Sequence, residues 1–223
     1  MPSNMVGLIP MNPKKVAIVA GSDIDWVSKD DLKSYSPVIG VDHGAFVLLK
    51  KGIVPDMAIG DFDSVTKKEL REIRKKVTYI KEYLPDKDQT DLELAVKYAF
   101  TLNPKEITLF GVTGGRLDQT LAALHLLRII HKHNCRAVLR NEQNWMSMVS
   151  GKYQIQKSRN FSYLSILPCS DEITVTLTGC KYSLEKHRMK KGTTLGMSNV
   201  ITSDKAEITV HKGIAYVVRS RDQ

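Results

Sequence analysis

The chain has 223 residues, 42% of them hydrophobic and 26% charged, which is the composition of a globular protein with one large domain or two modest ones. No apolar run is long enough to span a bilayer, and Cys135, Cys169 and Cys180, with no CxxC pair, argue against a disulfide framework or a cysteine metal site. The net charge of +9 fits either a nucleic-acid binder or a protein that attracts an anionic substrate such as a nucleotide.

Met1 to Asn12 lacks the basic start and continuous apolar stretch of a secretory signal, and residues 1–13 read as a disordered extension. Lys15 to Ala20 is a β-branched run that predicts a strand ending at Gly21-Ser22-Asp23. Pro37 to Val41 predicts a second, ending at Asp42-His43-Gly44, and Ala45 to Lys51 a short helix stopped by Gly52. Asp56 to Ile59 is a third strand, ending at Gly60-Asp61. Thr66-Lys67-Lys68-Glu69 matches a capping box and predicts a helix to about Lys76. Its basic residues alternate with Glu69 and Glu72, as on a solvated helix face.

Val77 to Ile80 reads as the next strand. Thr90-Asp91-Leu92-Glu93 is a second capping box, opening an amphipathic helix with Leu92, Val96 and Ala99 on one face. Ile107 to Phe110 is a strand. Asp118 to His131, with Leu121, Leu124, Leu127 and Ile130, reads as a well-buried helix, and Arg136 to Arg140 closes the series. After about Asn141 helical periodicity fades. Short alternating segments follow: Tyr153 to Gln156, Phe161 to Leu167, Ile173 to Leu177, Glu207 to His211 and Ile214 to Arg219, separated by turn residues. Between them Lys186 to Lys191 forms a basic run. The expected fold is α/β: a mostly parallel sheet covered by helices over residues 14–142, followed by a sandwich-like antiparallel β domain over 143–223.

In a parallel sheet ligands bind beyond the carboxyl ends of the strands. Asp42, Asp61, Asp63 and the Gly111 to Asp118 loop all fall there. If Gly60 to Ser64 continues an extended strand end, the Asp61 and Asp63 carboxylates share one face. Two such acids repel unless a cation or a proton intervenes, and Mg²⁺ is the natural partner. A polar turn with Asp63 capping the next helix is the alternative. Lys87-Asp88-Gln89-Thr90-Asp91 joins a cation and two acids to a helix N-terminus, where anions are favoured. Thr90 is best explained as the N-cap. Asp91 either complements the helix dipole or reaches the same metal. Thr113-Gly114-Gly115-Arg116-Leu117-Asp118-Gln119 lets the backbone approach a ligand and offers a guanidinium for phosphate, without the ending of a Walker A loop. The histidines form no ligand set. His43 borders the site beside Asp42, and Trp26 and Trp145 are each either core or pocket wall.

Taken together these motifs resemble the thiamine pyrophosphokinase family. The resemblance rests on Gly40-Val41-Asp42-His43-Gly44-Ala45, Pro55-Asp56 with Gly60-Asp61-Phe62-Asp63-Ser64, Lys87 to Asp91, Gly114 to Gln119, Gly196-Met197-Ser198-Asn199 and Lys212 to Val218. No single member of the set is specific; their order is. The resemblance implies transfer of diphosphate from ATP to the hydroxyl of thiamine with release of AMP. It further implies a homodimer with the thiamine pocket near the subunit interface; separately, the cysteine usage points to a reducing, cytoplasmic setting, and no nucleic acid or membrane partner is expected. Asp61, Asp63 and Asp91 match magnesium-associated positions, and Asp42 lies in the first acidic loop. Arg116 is a catalytic candidate. Lys87, Thr113, Gly115, Arg116, Asp118 and Gln119 fall on the nucleotide side, and Ser198 and Asn199 on the thiamine side. Asp-His-Gly stands where many relatives have Asp-Gly-Gly, and Lys87 where some have Gln.

Two other classes compete. Asp61-Phe62-Asp63-Ser64-Val65 imitates the Asp-x-Asp motif of haloacid-dehalogenase phosphatases, though it lies on an internal strand. A non-catalytic module, either an RNA binder or a thiamine sensor, is the other. With 7% aromatic residues and no aromatic-basic cluster, a stacking platform for RNA is disfavoured.

Overall fold

The structure, a computed structural model, describes residues 14–86 and 88–222; the expected N-terminal extension and Lys87 lie outside the described residues. The chain divides into two compact units between Glu142 and Gln143.

In the first unit the strands are β1 (Lys15–Val19), β2 (Val38–Val41), β3 (Met57–Gly60), β4 (Tyr79–Glu82), β5 (Glu106–Phe110) and β6 (Arg136–Arg140). The helices are α1 (Lys29–Leu32), α2 (His43–Lys50), α3 (Lys67–Lys76), α4 (Asp91–Thr101) and α5 (Leu117–Lys132). All strand pairs in this unit are parallel, in the order β6-β5-β1-β2-β3-β4. β1, β2, β3 and β5 are buried almost along their whole length because helices cover both faces of the sheet: Val16 to Val19, Ile39, Met57 to Ile59 and Ile107 to Phe110 are fully buried. Connections run outward from β1 in both directions. The crevice between β1 and β5 is therefore a topological switch point, where loops from the two strands part and leave room for a ligand.

The first expected capping box is complete and the second is half made, because the Glu93 carboxylate pairs with Lys97 instead of turning back to Thr90. Thr66 accepts from the Glu69 N–H while the Glu69 carboxylate accepts from the Thr66 N–H, and Thr90 accepts from the Glu93 N–H. A similar box at Ser28 and Asp31 starts α1, an element the sequence reading omitted. β4 begins two residues later than expected, because Val77 closes α3 by donating its N–H to Ile73 O and is buried against that helix. The well-buried character expected of α5 is not observed. Only the face carrying Ala123, Leu126, Leu127 and Ile130 is buried. Leu117, Leu121 and Ile129 are exposed at 69%, 49% and 40%. One face of a 3.6-residue helix meets the sheet, and apolar residues on the other face find no neighbour within the unit.

The second unit is antiparallel: β7 (Asn144–Gln156), β8 (Tyr163–Pro168), β9 (Glu172–Thr178), β10 (Leu184–Lys190) and β11 (Lys205–Ser220). β7 begins nine residues before the first expected strand of this domain, Tyr153 to Gln156, and the two last expected strands are one long β11. That strand bends where its register shifts between Val210 and Ala215, at Gly213 with φ +81°. A side chain there would also meet the Glu172 carbonyl. Before the bend β11 lies between β7 and β9; after it, between β7 and β8. The bent strands close over Val149, Ile155, Leu164, Ile166, Val175, Ile208, Ala215 and Val217. β10 carries the basic run that begins at Lys186. It is an edge strand with Met189 as its one buried residue, and charged side chains are the usual protection of such edges. Cys135, Cys169 and Cys180 are buried thiols. Burial pushes Cys135 up to about 12, with Glu106 adding to the effect, and Cys180 up to about 11, so both remain protonated at neutral pH.

Thr66→Ala is expected to lower stability in urea denaturation by about 1 kcal/mol, and Thr66→Ser by much less, because serine keeps the oxygen that caps the helix.

Candidate functional site

The acids sit where backbone geometry changes at the ends of β2 and β3 and at the start of α4. Asp42 follows β2 directly and is the N-cap of α2, with φ 46° and ψ −124°, and its side chain makes no capping bond. Its Oδ1 instead accepts the Phe62 N–H at 3.0 Å, which ties the end of β2 to the loop after β3. That reach across the sheet needs Gly60. A Cβ on residue 60 would collide with the Asp42 carboxylate.

Asp61 and Asp63 do not lie side by side as an extended strand end would place them. β3 stops at Gly60, Phe62 turns through φ 59°, and its ring is buried in the core under α2 and α3. Asp61 Oδ1 accepts the Asp63 N–H at 3.1 Å, folding the loop over itself, and Asp63 is left exposed. The neighbour Asp61 acquires is Asp42 rather than Asp63. Asp91, the first residue of α4, completes a trio: Asp42, Asp61 and Asp91 each offer a carboxylate oxygen, and the three lie within 4.8 Å of one another. Asp91 Oδ1 is sealed from solvent. Among the described residues this is the one such grouping of acids, cysteines and histidines.

Such a convergence raises the cost of ionisation. Burial, and then the facing Asp91 carboxylate, push Asp42 up to about 7, against the opposing hydrogen bond from Phe62 N–H. A divalent cation would remove the repulsion. Opposite ligands around Mg²⁺ are separated by roughly 4.2 Å, twice a bond of about 2.1 Å. Three carboxylate oxygens within 4.8 Å of one another are near enough to be drawn onto one such ion. The donor set, all carboxylate oxygen, is the hard kind that Mg²⁺ takes.

Beside the trio lies the switch-point crevice. Ser22 donates its N–H to Gly111 O at 3.1 Å, joining the loops after β1 and β5. Thr113 Oγ1 accepts from Asn141 Nδ2 at 3.1 Å, so the residue after β6 anchors the start of the Gly114-Gly115 turn. The sequence reading missed Asn141; its place one residue beyond a strand's carboxyl end is the signal that could have found it. Space beside Gly115 is open. Arg116, Asp118 and Gln119 are exposed where α5 begins. Arg116 grips Asp118 through Nε, at 3.2 Å to Oδ1, and through Nη2. The pair holds Asp118 below the usual carboxylate range. Both partners are solvent-exposed, so exchanging Asp118 for another anion costs Arg116 little. Trp26 packs, half-buried, against the core around Phe110, with its indole donating to Asp23 O and the Arg140 guanidinium over its ring. Trp145 stacks on Tyr153 in the second unit.

Ser198 and Asn199 are in the second unit, on a segment running beside β8. Ser198 is exposed, with φ 55°, and donates its N–H to Ser165 Oγ at 3.0 Å. Asn199 is buried.

Residues 29–139 match the family model described as thiamin pyrophosphokinase, catalytic domain, and residues 152–215 match thiamin pyrophosphokinase, vitamin B1 binding domain. The chain is 40% identical over 215 residues to the thiamine pyrophosphokinase of Bacillus subtilis, covering 94% of this chain and all of that one. It is 25% identical to thiamine pyrophosphokinase 1 of Oryza sativa subsp. japonica, over 75% of this chain and 67% of the other. Among solved structures, the Bacillus subtilis thiamine pyrophosphokinase superposes with a TM-score of 0.86 at 38% identity, over 94% of this chain and all of that one. Yeast thiamin pyrophosphokinase, at 18% identity, shares the fold with a TM-score of 0.76 over 97% of this chain and 90% of that one.

Because Asp42 is raised, its protonated form stabilises the fold. That contribution is complete below the ordinary value of 3.8 and is lost as pH rises through about 7. Without added metal, Asp42→Asn is therefore expected to melt higher than the parent at pH 8, with the difference vanishing below pH 4. A melting temperature lowered by the substitution at pH 8 would contradict the geometry.

Proposed function

The chain belongs to the thiamin pyrophosphokinase family, and on that footing we propose that it transfers diphosphate from ATP to the hydroxyl of thiamine, releasing AMP, at a Mg²⁺ site formed by Asp42, Asp61 and Asp91. The observation that carries this reading is the trio within 4.8 Å at the rim of the parallel sheet. Bound there, Mg²⁺ supplies charge neutralisation and a template for polyphosphate oxygens. Asp63, exposed and turned away by Phe62, has no part in holding the ion in this reading.

The chain's own groups do the remaining work. Transfer of this kind depends on positioning and charge neutralisation rather than on a covalent intermediate. The Thr113 to Gly115 turn, anchored by Asn141, receives the nucleotide at the switch-point crevice. Arg116 releases Asp118 and takes phosphate oxygens in its place, with Asp118 and Gln119 completing the nucleotide side. Lys87 is assigned to the phosphates by resemblance. The thiamine hydroxyl gives up its proton to a carboxylate of the acidic loops as its oxygen attacks the β-phosphorus, and the bond from that phosphorus to the AMP oxygen breaks. A net charge of +9 favours approach of the nucleotide, while the acids favour the cationic thiazolium. Ser198 lies within the stretch matching the vitamin B1 binding domain and is assigned to the thiamine pocket.

The family excludes the aspartyl-phosphatase and RNA-binding readings. No helix among the described residues is long and apolar enough to cross a membrane. Buried thiols support a reducing, cytoplasmic setting. Exposed Leu117 and Leu121 on α5, and Leu195 in the second unit, support a homodimer that covers them.

An AMP-release assay tests the proposal. AMP should form from Mg-ATP only when thiamine is present and should cease on chelation with EDTA. Asp61→Asn and Asp91→Asn should each lower the rate by roughly 100-fold or more while circular dichroism is unchanged. AMP formed without thiamine, or parental rates in both variants, would contradict it.

A further inference from the structure

Asn199 falls on the segment assigned to thiamine, yet its side chain is 7% exposed and already engaged on both ends. Its Oδ1 accepts the Tyr182 N–H at 3.1 Å and the Val200 N–H at 2.9 Å, and its Nδ2 donates to Tyr182 O at 2.7 Å. One amide thus holds both backbone groups of Tyr182, 17 residues away in sequence. The main chain extends the same join. Lys181 N–H donates to Val200 O at 2.8 Å, while Asn199 exchanges two backbone bonds with Leu164 of β8, at 2.8 and 3.0 Å. The segment is therefore fixed to β8 on one side and to residues 180–182 on the other. What it turns outward is Ser198, Met197 at 50% exposure and Val200 at 37%, alongside the Tyr182 ring at 61%.

We propose that Asn199 is a positioning residue: it makes no contact with thiamine, but locks the Tyr182 backbone to the Ser198 segment so that the two strips form one rigid surface for the substrate. This rests on the assignment of Ser198 to the thiamine pocket. Without the amide, both Tyr182 backbone groups lose their partner, and the surface must be ordered each time substrate binds, which weakens binding without altering the transfer step. Planar amide geometry is needed. One atom must accept two N–H groups while another, fixed in the same plane, donates to a carbonyl.

Asn199→Asp separates positioning from direct contact by the sign of its effect. A carboxylate keeps the two accepted bonds but sets oxygen against Tyr182 O where Nδ2 donated. If Asn199 is a bracket, KM for thiamine should rise about tenfold, with kcat and KM for ATP within about twofold, and exchange of the Tyr182 amide hydrogen should quicken while β9 and β11 stay protected. If Asn199 instead touched the cationic thiamine, the new negative charge would lower KM. Ser198→Gly, which tolerates the positive φ, is measured in parallel and should raise KM for thiamine. A lowered or unchanged KM in Asn199→Asp beside a raised one in Ser198→Gly overturns the inference and leaves the pocket assignment standing. An unchanged KM in both removes the assignment and the inference with it. Should Asn199→Asp fail to fold, Asn199→Ser is expected to raise KM in the same way, and an unchanged value in it overturns the inference.

Discussion

Like charges gathered in a half-buried space repel one another, and water is not there in bulk to screen them. Asp42, Asp61 and Asp91 are nevertheless held within 4.8 Å by elements with little freedom to retreat. Asp42 is fixed by the buried end of β2 and by the Phe62 N–H, Asp61 by the turn that Phe62 anchors in the core, and Asp91 by the capped start of α4. Repulsion that the fold does not relieve is available to a cation. The rest of the first unit follows from this constraint. Gly60 makes room for the Asp42 carboxylate, and the parallel topology brings the loop ends to one rim. The glycine turn after β5 leaves open space beside Gly115.

The two units divide the labour by architecture. A parallel sheet gathers loops at one edge, which suits a polyphosphate that must be gripped from several sides. The bent antiparallel unit presents surface strips instead, and its order depends on cross-links between strips. Asn199 is one of these, joining residues of two segments that no regular ladder pairs. On this account the second unit's contribution to catalysis is rigidity at the thiamine side, and its core of Ile166, Val175, Ile208 and Val217 supplies the base for it.

Much of this was legible in the chain. Runs such as Lys15 to Ala20 and Ile107 to Phe110 read as strands of a parallel sheet, and the Thr66 and Thr90 caps marked helix starts to the residue. The acids at strand ends pointed to a site because the sheet's topology puts every such end together. What escaped were features set by tertiary packing. Spacing suggested that Asp61 and Asp63 would share a face. The burial of Phe62 turned the backbone between them, and Asp42 arrived from a neighbouring strand. Apolar residues on α5 suggested burial all round, although a single sheet covers only one face. β10 was invisible because an edge strand with one inward side chain carries no alternation. Nothing in the sequence neighbours of Asn199 reveals that its amide engages the Tyr182 backbone.

The central claim is that carboxylates from the ends of β2 and β3 and the start of α4 share one ion. It is tested most directly by a crystal structure with Mn²⁺ and a non-hydrolysable ATP analogue, the ion located by its anomalous signal. The account predicts a peak bonded to oxygens of Asp42, Asp61 and Asp91 at about 2.1 Å, with polyphosphate oxygens on its open side. A peak held by Asp63 without Asp42, or one bound to phosphate alone with the trio still apart, would contradict it.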